Sequence, residues 1–284
     1  MTAPEIPSIN DWAGARGEKW LAQLGQMEAM LAPVDQPLID QLTLTGARRI
    51  ADLACGGGGT TLAVAKAADP DAAIFGYDIS PALVSFAQQR AAGQGADQPG
   101  TTPAFAVGDS ATLRIDDGFD RIISRFGTMF FPEPARAFAN IAQLLAPGGR
   151  FAFAVWGPLA DNYWMGIIRE TVGELVDLPV VPADAPGPMR YGEVSVLLRL
   201  LADAGFGDVT VQDWRGDLAI GGGLAPRAAA QFAIDGMSVA QVLADKGPAL
   251  VARAVDLLAD RFAAQWENDA VRLPARVHLV SGGR

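Results

Sequence analysis

The sequence predicts an α/β protein with a doubly wound, mostly parallel sheet of seven strands, an N-terminal helical lid and an inserted helical cap. Three observations predict this fold. An apolar strand, residues 49–53, leads into four consecutive glycines and then a helical pattern. Short apolar runs then alternate with helical segments up to residue 156. Roughly 60 residues, 215–274, separate the last two strands, far more than a hairpin turn requires.

The glycine loop, residues 54–59, follows the first strand directly. Glycine has no Cβ and adopts positive φ, so a ligand can approach backbone N–H groups there. Asp78 ends the second apolar run, 20 residues after Gly58, where a carboxylate can accept hydrogen bonds from a ribose diol. A phosphate-binding Walker loop is excluded, because no Gly-Lys-Ser/Thr follows the glycines and no lysine is placed to reach a phosphate. The pattern predicts either a dinucleotide or S-adenosylmethionine, and a simple tight turn is the structural alternative.

The next segments continue the alternation of strands and helices. Residues 105–110 are predicted as a third strand ending in an acid, and residues 119–126 as a fourth. A helix over 134–145 ends at a Pro-Gly-Gly turn, since proline and glycine stop a helix and reverse the chain. The turn leads into a fifth strand, 150–156.

With these segments the chain resembles the class I S-adenosylmethionine-dependent methyltransferases, in the small-molecule subgroup related to ubiquinone and menaquinone biosynthesis methyltransferases. The resemblance covers residues 10 to about 215. It implies a Rossmann-like core, S-adenosyl-L-methionine as cofactor and S-adenosyl-L-homocysteine as product. The first glycine of the usual Gly-x-Gly-x-Gly is Ala54 here, which leaves the tightness of cofactor binding open.

The resemblance also implies a set of cofactor contacts. The glycine loop would wrap the methionine part, the second strand end the ribose, and the third strand end the adenine. The segment after the fourth strand would pass the sulfonium, and two lid tryptophans would close over it, although core packing explains those tryptophans equally well. The implied residues are Asp52, Ala54, Cys55, Gly56, Gly58, Asp78, Ile79, Asp109, Ser110, Ser124, Arg125, Trp12 and Trp20.

The methyl acceptor is expected at the carboxyl end of the sheet, where an aromatic loop follows the fifth strand. Arg125 would orient an acidic substrate or a carbonyl, with a salt bridge to a neighbouring acid as the alternative. An activated methyl donor needs mainly proximity and orientation, so a catalytic residue is optional. The candidate general bases are Asp161 and Tyr163. The predicted acceptor-binding residues are Arg125, Met129, Phe130, Trp156, Asn162 and Trp164.

Composition excludes several partners. A net charge of -10 and a pI near 4.6 argue against a nucleic-acid substrate, which demands a basic face. The one histidine, His278, is predicted as a structural strand residue, and no Cys/His cluster indicates a metal. No apolar stretch is long enough to span a bilayer, and the first ten residues do not resemble a signal peptide. We therefore expect a cytoplasmic protein without membrane contact, and leave homodimer formation open.

The predicted organisation is a lid over residues 1–45, a cofactor-binding core over 46–215, a helical cap over 216–274, and the last strand over 275–284. The predicted function is methyl transfer to an O, N or C nucleophile of a small apolar or aromatic metabolite by in-line displacement. Two alternatives stay open. One is an S-adenosylmethionine-binding cyclase or decarboxylase, because the fold does not fix the chemistry. The other is an NAD(P)-dependent reductase.

Overall fold

One twisted sheet organises residues 9–93, 101–236 and 239–284, the parts of the chain that this computed structural model describes. The strands lie in the order β3-β2-β1-β4-β5-β8-β6, and β7 pairs with β8. Strands β1 to β5 pair in parallel, whereas β8 is antiparallel to its neighbours. The α/β, mostly parallel prediction is confirmed. The strands are β1 (Arg49–Leu53), β2 (Ala73–Asp78), β3 (Ala104–Val107), β4 (Phe119–Arg125), β5 (Leu145–Trp156), β6 (Gly207–Ala219), β7 (Trp266–Glu267) and β8 (Ala270–Gly283).

The helices form three groups along the chain. The lid group precedes the sheet, the core group connects its strands, and the cap group lies between β6 and β7. The lid helices are α1 (Ile9–Ala13), α2 (Ala15–Ala22), α3 (Leu24–Leu31) and α4 (Asp35–Asp40). The core helices are α5 (Gly59–Ala67), α6 (Pro81–Gly93), α7 (Pro134–Leu144), α8 (Tyr163–Gly173) and α9 (Val194–Asp203). The cap helices are α10 (Pro226–Gly236), α11 (Val239–Ala244) and α12 (Pro248–Ala263).

The inner strands are apolar because helices cover both faces of the sheet. In β1, Ile50, Ala51 and Leu53 are fully buried, and in β4 so are Ile122 and Ile123. A parallel sheet of this kind brings the carboxyl ends of β1, β2, β3 and β4 to one edge. The glycine loop and the acid at the end of β2 therefore lie at that edge. In the described residues no helix is both long and apolar enough to cross a membrane.

The β6/β8 pair is longer than the sequence predicts. The apolar patterns predict strands over 208–214 and 275–284. In the structure β6 and β8 pair from Gly207 with Gly283 to Ala219 with Arg272. The extension carries polar and proline residues, so alternation alone did not reveal it. The cap is correspondingly shorter, because β6 ends at Ala219 and β7 starts at Trp266.

The lid helix α3 is packed between the glycine loop and the cap. On one side, a Cβ on Gly57 would collide with the Leu24 side chain. On the other side, a Cβ on Gly222 would lie 2.6 Å from the Ala29 Cβ. Glycine at both positions therefore allows the helix to approach two backbones closely. The lid is in direct contact with both the predicted cofactor loop and the cap.

Candidate functional site

The glycine loop takes a left-handed backbone at three positions. Gly56 and Gly58 have φ values of 55° and 82°, and Ala54 has φ 56°. This conformation is open to glycine but costs an alanine about 1 kcal/mol or more. A Cβ on Gly58 would also lie 2.8 Å from Cζ of Phe105. Residue 58 must therefore be glycine, both for its backbone conformation and for its packing against Phe105. The backbone of Ala54 is strained.

Asp78 ties the glycine loop to the end of β2. Its Oδ2 accepts the backbone N–H of Gly56 at 2.8 Å, and its Oδ1 accepts that of Ser80 at 2.9 Å. Burial raises the pKa of Asp78, while backbone hydrogen bonds from Ser80, Gly56 and Ile79 oppose the rise. A carboxylate has about four acceptor sites, so Asp78 retains acceptor capacity for a ligand hydroxyl beside these backbone groups.

Asp52 contributes an unpaired buried oxygen beside the loop. The side chain is 2% exposed, and its Oδ2 accepts the Thr61 hydroxyl at 2.6 Å. Its Oδ1 is buried without a hydrogen-bond partner in the described part of the chain. Burial raises the pKa of Asp52 to about 7, with Thr61 and Arg125 opposing. Since buried polar atoms are nearly always paired, this oxygen fits a cationic group of a ligand, such as an α-ammonium.

Arg125 is ion-paired, which is the alternative that the sequence left open. Its Nη1 lies 3.1 Å from Oδ2 of Asp35, at the start of α4. The Thr60 hydroxyl donates to the other oxygen of Asp35 at 2.8 Å. Burial raises the pKa of Asp35, and Arg125 opposes the rise. The sequence offered no signal for Asp35, because it stands 90 residues from Arg125 and belongs to no motif.

The end of β3 lies beside the end of β2. The Gly108 N–H donates to the Asp78 carbonyl at 2.9 Å. Asp109 Oδ1 accepts the Ala111 N–H at 2.9 Å, and the buried Ser110 presents its carbonyl to Asn140 Nδ2 at 2.8 Å. The structure thus brings Asp78, Asp109 and Ser110 to one edge of the sheet, as the resemblance implies.

Of the two lid tryptophans, Trp20 approaches the glycine loop and Trp12 lies between Trp20 and Phe130. The Trp12 and Trp20 ring centroids are 6.0 Å apart, and Trp12 lies 5.1 Å from Phe130. Trp20 Nε1 lies 3.9 Å from the position of a Cβ on Gly56. Lid, loop and the segment after β4 therefore meet in one place.

An aromatic row borders the same edge. Phe126, directly after β4, stacks on Trp156 at 4.3 Å, and Trp156 lies 5.2 Å from Trp164. Met129 is fully buried, and its sulfur accepts the Trp156 N–H at 3.5 Å. The sequence prediction did not name Phe126 as a site residue, and its φ of 61° marks a left-handed backbone directly after β4. Four predicted acceptor residues, Met129, Phe130, Trp156 and Trp164, thus lie along the segment after β4 and the aromatic row.

Three neighbouring residues predicted for the site differ from expectation. Asp161 is ion-paired with Arg276, and this partner lowers the pKa of the carboxyl, which makes it a weaker proton acceptor. Tyr163 is 41% exposed and borders shallow outer grooves with Glu170. Asn162 is fully buried and engages backbone groups of Gly157, Pro158 and Arg276. None of the three is placed to favour contact with a ligand at the glycine loop.

His278 has the structural position predicted for it. It lies in β8 with 2% exposure, its Nδ1 2.7 Å from Oδ1 of Asp213 and its Nε2 3.3 Å from the Gly192 carbonyl. In the described residues no group of three or more His, Cys, Asp and Glu side chains is arranged to hold a metal ion.

Buried polar atoms without partners are concentrated at this edge. Within the described ranges they include Asp52 Oδ1 at the end of β1, Ser124 Oγ in β4 and Thr128 Oγ1 after it, with Nε1 of Trp12 and Trp164. Folded proteins leave few such atoms unpaired, so their concentration indicates a ligand-binding cleft.

A clasp that the sequence did not predict fastens the lid to the loop. Arg90 Nη1 lies 2.8 Å from Glu28 Oε1 and donates to the Gly57 carbonyl at 2.8 Å. Glu28 belongs to α3 and Arg90 to α6, 62 residues apart. One guanidinium therefore joins the lid helix to the backbone of the glycine loop.

Comparisons with known proteins agree with this geometry. Residues 51–153 match the family model described as a methyltransferase domain. A trans-aconitate 2-methyltransferase of Methylobacterium nodulans is 30% identical over 179 residues, 63% of this chain and 64% of the relative. An uncharacterised protein of Mycobacterium tuberculosis is 28% identical over 177 residues, 62% of this chain and 60% of the relative. The chain thus spans about three fifths of the length of these curated relatives.

A solved structure shares the fold. The YcgJ protein of Bacillus subtilis superposes with a TM-score of 0.55 at 16% identity, covering 89% of this chain and 98% of that protein. At this identity the likeness concerns the fold alone. The matched family segment starts in β1 and ends in β5, so it contains the glycine loop, Asp78, Asp109 and the end of β4.

Proposed function

Because residues 51–153 match a family model described as a methyltransferase domain, we propose that this chain is a class I S-adenosylmethionine-dependent methyltransferase that transfers a methyl group to an O, N or C nucleophile of a small, apolar or aromatic metabolite. One relative is named a trans-aconitate 2-methyltransferase, so we would also test metabolites that carry carboxylates as acceptors. In this proposal the lid, core and cap act as the three functional units of one enzyme that works without nucleic acid.

The observation that carries the proposal is the combination of the left-handed glycine loop with two buried acids. Asp78 retains acceptor sites for the hydroxyls of a ribose, and Asp52 Oδ1 is free for the methionyl ammonium. Asp109 and Ser110 would border the adenine. These residues fit S-adenosylmethionine, which supplies an activated methyl on its sulfonium when bound.

The remaining residues exclude water and orient the acceptor. Trp12 and Trp20 close the lid side, and the row of Phe126, Trp156 and Trp164 forms the opposite wall. Orientation of two bound reactants supplies on the order of 7 to 11 kcal/mol of barrier lowering. The ion-paired Asp161 and the exposed Tyr163 are not needed as bases for an acceptor that is neutral and nucleophilic when bound.

The first test is cofactor binding by Asp78→Asn. The amide replaces one acceptor oxygen by a donor, so we expect S-adenosylhomocysteine affinity to fall by about 1.5 to 3 kcal/mol, the scale of hydrogen bonds to a charged group. Calorimetry on the folded variant measures this. Asp120→Asn is a matched control, because Asp120 Oδ2 accepts the N–H groups of Arg48 and Arg49 at the other end of β1. Equal affinity in wild type and Asp78→Asn would contradict the ribose assignment.

Two further measurements separate the alternatives. A thermal shift with S-adenosylhomocysteine and none with NAD would exclude the reductase. Transfer of labelled methyl from S-adenosylmethionine into a metabolite extract distinguishes a methyltransferase from a cyclase or decarboxylase, which would bind the cofactor and leave the extract unlabelled.

A further inference from the structure

Arg16 lies in lid helix α2, beside the segment that follows β4. Its guanidinium carbon lies 5.0 Å from the centroid of the Trp12 ring and 5.7 Å from that of Phe130. Arg16 and Trp20 are four residues apart in α2, so they share one face of the helix. Trp20 on this face approaches the glycine loop. Arg16 therefore lies between the lid and the segment that follows β4.

In the part of the chain that the structure describes, no carboxylate lies within ion-pair distance of Arg16. Arg125 and Arg90 pair with Asp35 and Glu28, whereas Arg16 forms no ion pair there. Burial lowers the pKa of Arg16, and Asp11 on the same lid opposes that effect. Apart from this interaction with Asp11, the described residues give the half-buried Arg16 guanidinium no direct ion pair, which leaves its N–H donors available to an anionic ligand.

The donors at this place match one kind of ligand. Nε1 of Trp12 is buried without a partner in the described residues, and both an indole N–H and a guanidinium only donate hydrogen bonds. A carboxylate only accepts, carries the opposite charge, and has two oxygens that match the guanidinium fork. Phe130 beside the guanidinium offers an apolar surface to the rest of such a ligand.

We propose that Arg16 binds a carboxylate of the methyl acceptor, so that the acceptor is a small organic acid. This rests on the proposed methyltransferase function and narrows its substrate class. The methionyl part of the cofactor also carries a carboxylate. Arg16 lies over Phe130, a predicted acceptor-binding residue, while Trp20 faces the glycine loop, and this arrangement favours the acceptor as the source of the carboxylate.

The first experiment uses a metabolite extract divided by anion exchange into an acidic and a neutral fraction. Each fraction is incubated with labelled S-adenosylmethionine and the full-length protein. We expect label in the acidic fraction, a decrease of about tenfold or more for Arg16→Met, and an intermediate rate for Arg16→Lys, which keeps the charge and loses the fork. Lys19→Met is the control, because it removes an exposed cation from the same helix.

The results decide the proposal in each case. Label confined to the neutral fraction, or equal labelling by wild type and Arg16→Met, would overturn it. Absence of label from both fractions, with S-adenosylhomocysteine still bound, would contradict the methyltransferase function itself and remove the proposal with it.

The second experiment separates the two carboxylates. S-adenosylhomocysteine contains the methionyl carboxylate, and methylthioadenosine lacks it. We expect Arg16→Met to bind both with wild-type affinity. A selective loss of S-adenosylhomocysteine binding would assign Arg16 to the cofactor and overturn the proposal. Thermal unfolding of each variant shows whether the lid is still folded, and Arg16→Lys keeps the test valid if Arg16→Met is unstable.

Discussion

At the scale of single residues, Ala54 and Gly127 are matched to each other. Ala54 has a left-handed backbone at the position where the resemblance implies glycine, and its methyl group points to the start of the segment after β4. A Cβ on Gly127 would collide with that methyl group and lie 3.0 Å from Ser124 Oγ. Gly127 itself has φ -85°, which any residue can adopt. Glycine is therefore needed at residue 127 because alanine stands at residue 54.

This pair predicts non-additive substitutions. Gly127→Ala should cost about 1 to 3 kcal/mol of the free energy of unfolding through overpacking. Ala54→Gly should be close to neutral, since relief of strain offsets the greater freedom of the unfolded chain. In the double variant the cost of Gly127→Ala should fall by about 1 kcal/mol or more, measured by urea unfolding in a double-mutant cycle. Additive costs would show that the two residues do not contact each other.

At the scale of elements, helix α3 holds the glycine loop through its Glu28–Arg90 clasp. The same guanidinium donates to the Gly57 carbonyl, so the ion pair and the loop share one donor. Next to the clasp, a Cβ on Gly59 would lie 2.7 Å from Glu28 Oε1, so glycine at residue 59 leaves space for the carboxylate. The lid is thus fastened at the first turn of α5, where a nucleotide-like ligand would lie.

Glu28→Gln removes the charge of the clasp and keeps the shape of the side chain. Because the pair is only partly buried, we expect a loss of about 0.5 to 1 kcal/mol in S-adenosylhomocysteine affinity, together with faster hydrogen exchange in α3. Glu133→Gln is the control, since its pair with Arg136 is exposed and lies outside the lid. If both variants bind the ligand equally well, the clasp does not support the loop.

At the scale of the whole molecule, the features that could be predicted from the sequence are those set by the spacing of residues close together in the chain. Strand ends and the glycine loop were predictable, and parallel pairing then brings Asp78 and Asp109 to one edge. Asp35 and Arg90 were not, because their partners are distant in the sequence and follow no pattern. Trp164 and Tyr163 show a third limit. Helix α8 starts at residue 163, and the sequence of the loop before it does not indicate which of the two side chains faces the sheet. In the structure Trp164 is buried and Tyr163 is exposed.

Burial of Asp52 makes the stability of the whole molecule depend on pH. Its pKa is raised from 3.8 to about 7, so the folded state holds a proton that the unfolded state releases between these values. Stability should therefore fall as pH rises through this window, by up to about 4 kcal/mol for three pKa units, and the loss is complete above about 7. Asp161 and Asp213 have lowered pKa values, so they titrate below this window.

Asp52→Asn cannot ionise, so it should remove this part of the pH dependence. Urea unfolding at pH 5 and pH 8 measures the free energy of unfolding of both proteins. The value for the variant minus the value for wild type should be larger at pH 8 than at pH 5. Asp35 and Asp78 have raised pKa values too and remain in both proteins, so the comparison reports the titration of Asp52 together with its interaction with these two acids. If the free energies of unfolding of variant and wild type differ by the same amount at both pH values, Asp52 is ionised in the folded protein throughout this range.

The chain has one cysteine, and it stands inside the glycine loop. The Cys55 thiol is buried, its sulfur 3.0 Å from the position of a Cβ on Gly76, and burial raises its pKa. Alkylating reagents react with an accessible thiolate, so modification requires the loop to move away from β2. The alkylation rate of Cys55, read as a mass increase at one position, therefore reports how often the loop opens, without any introduced label.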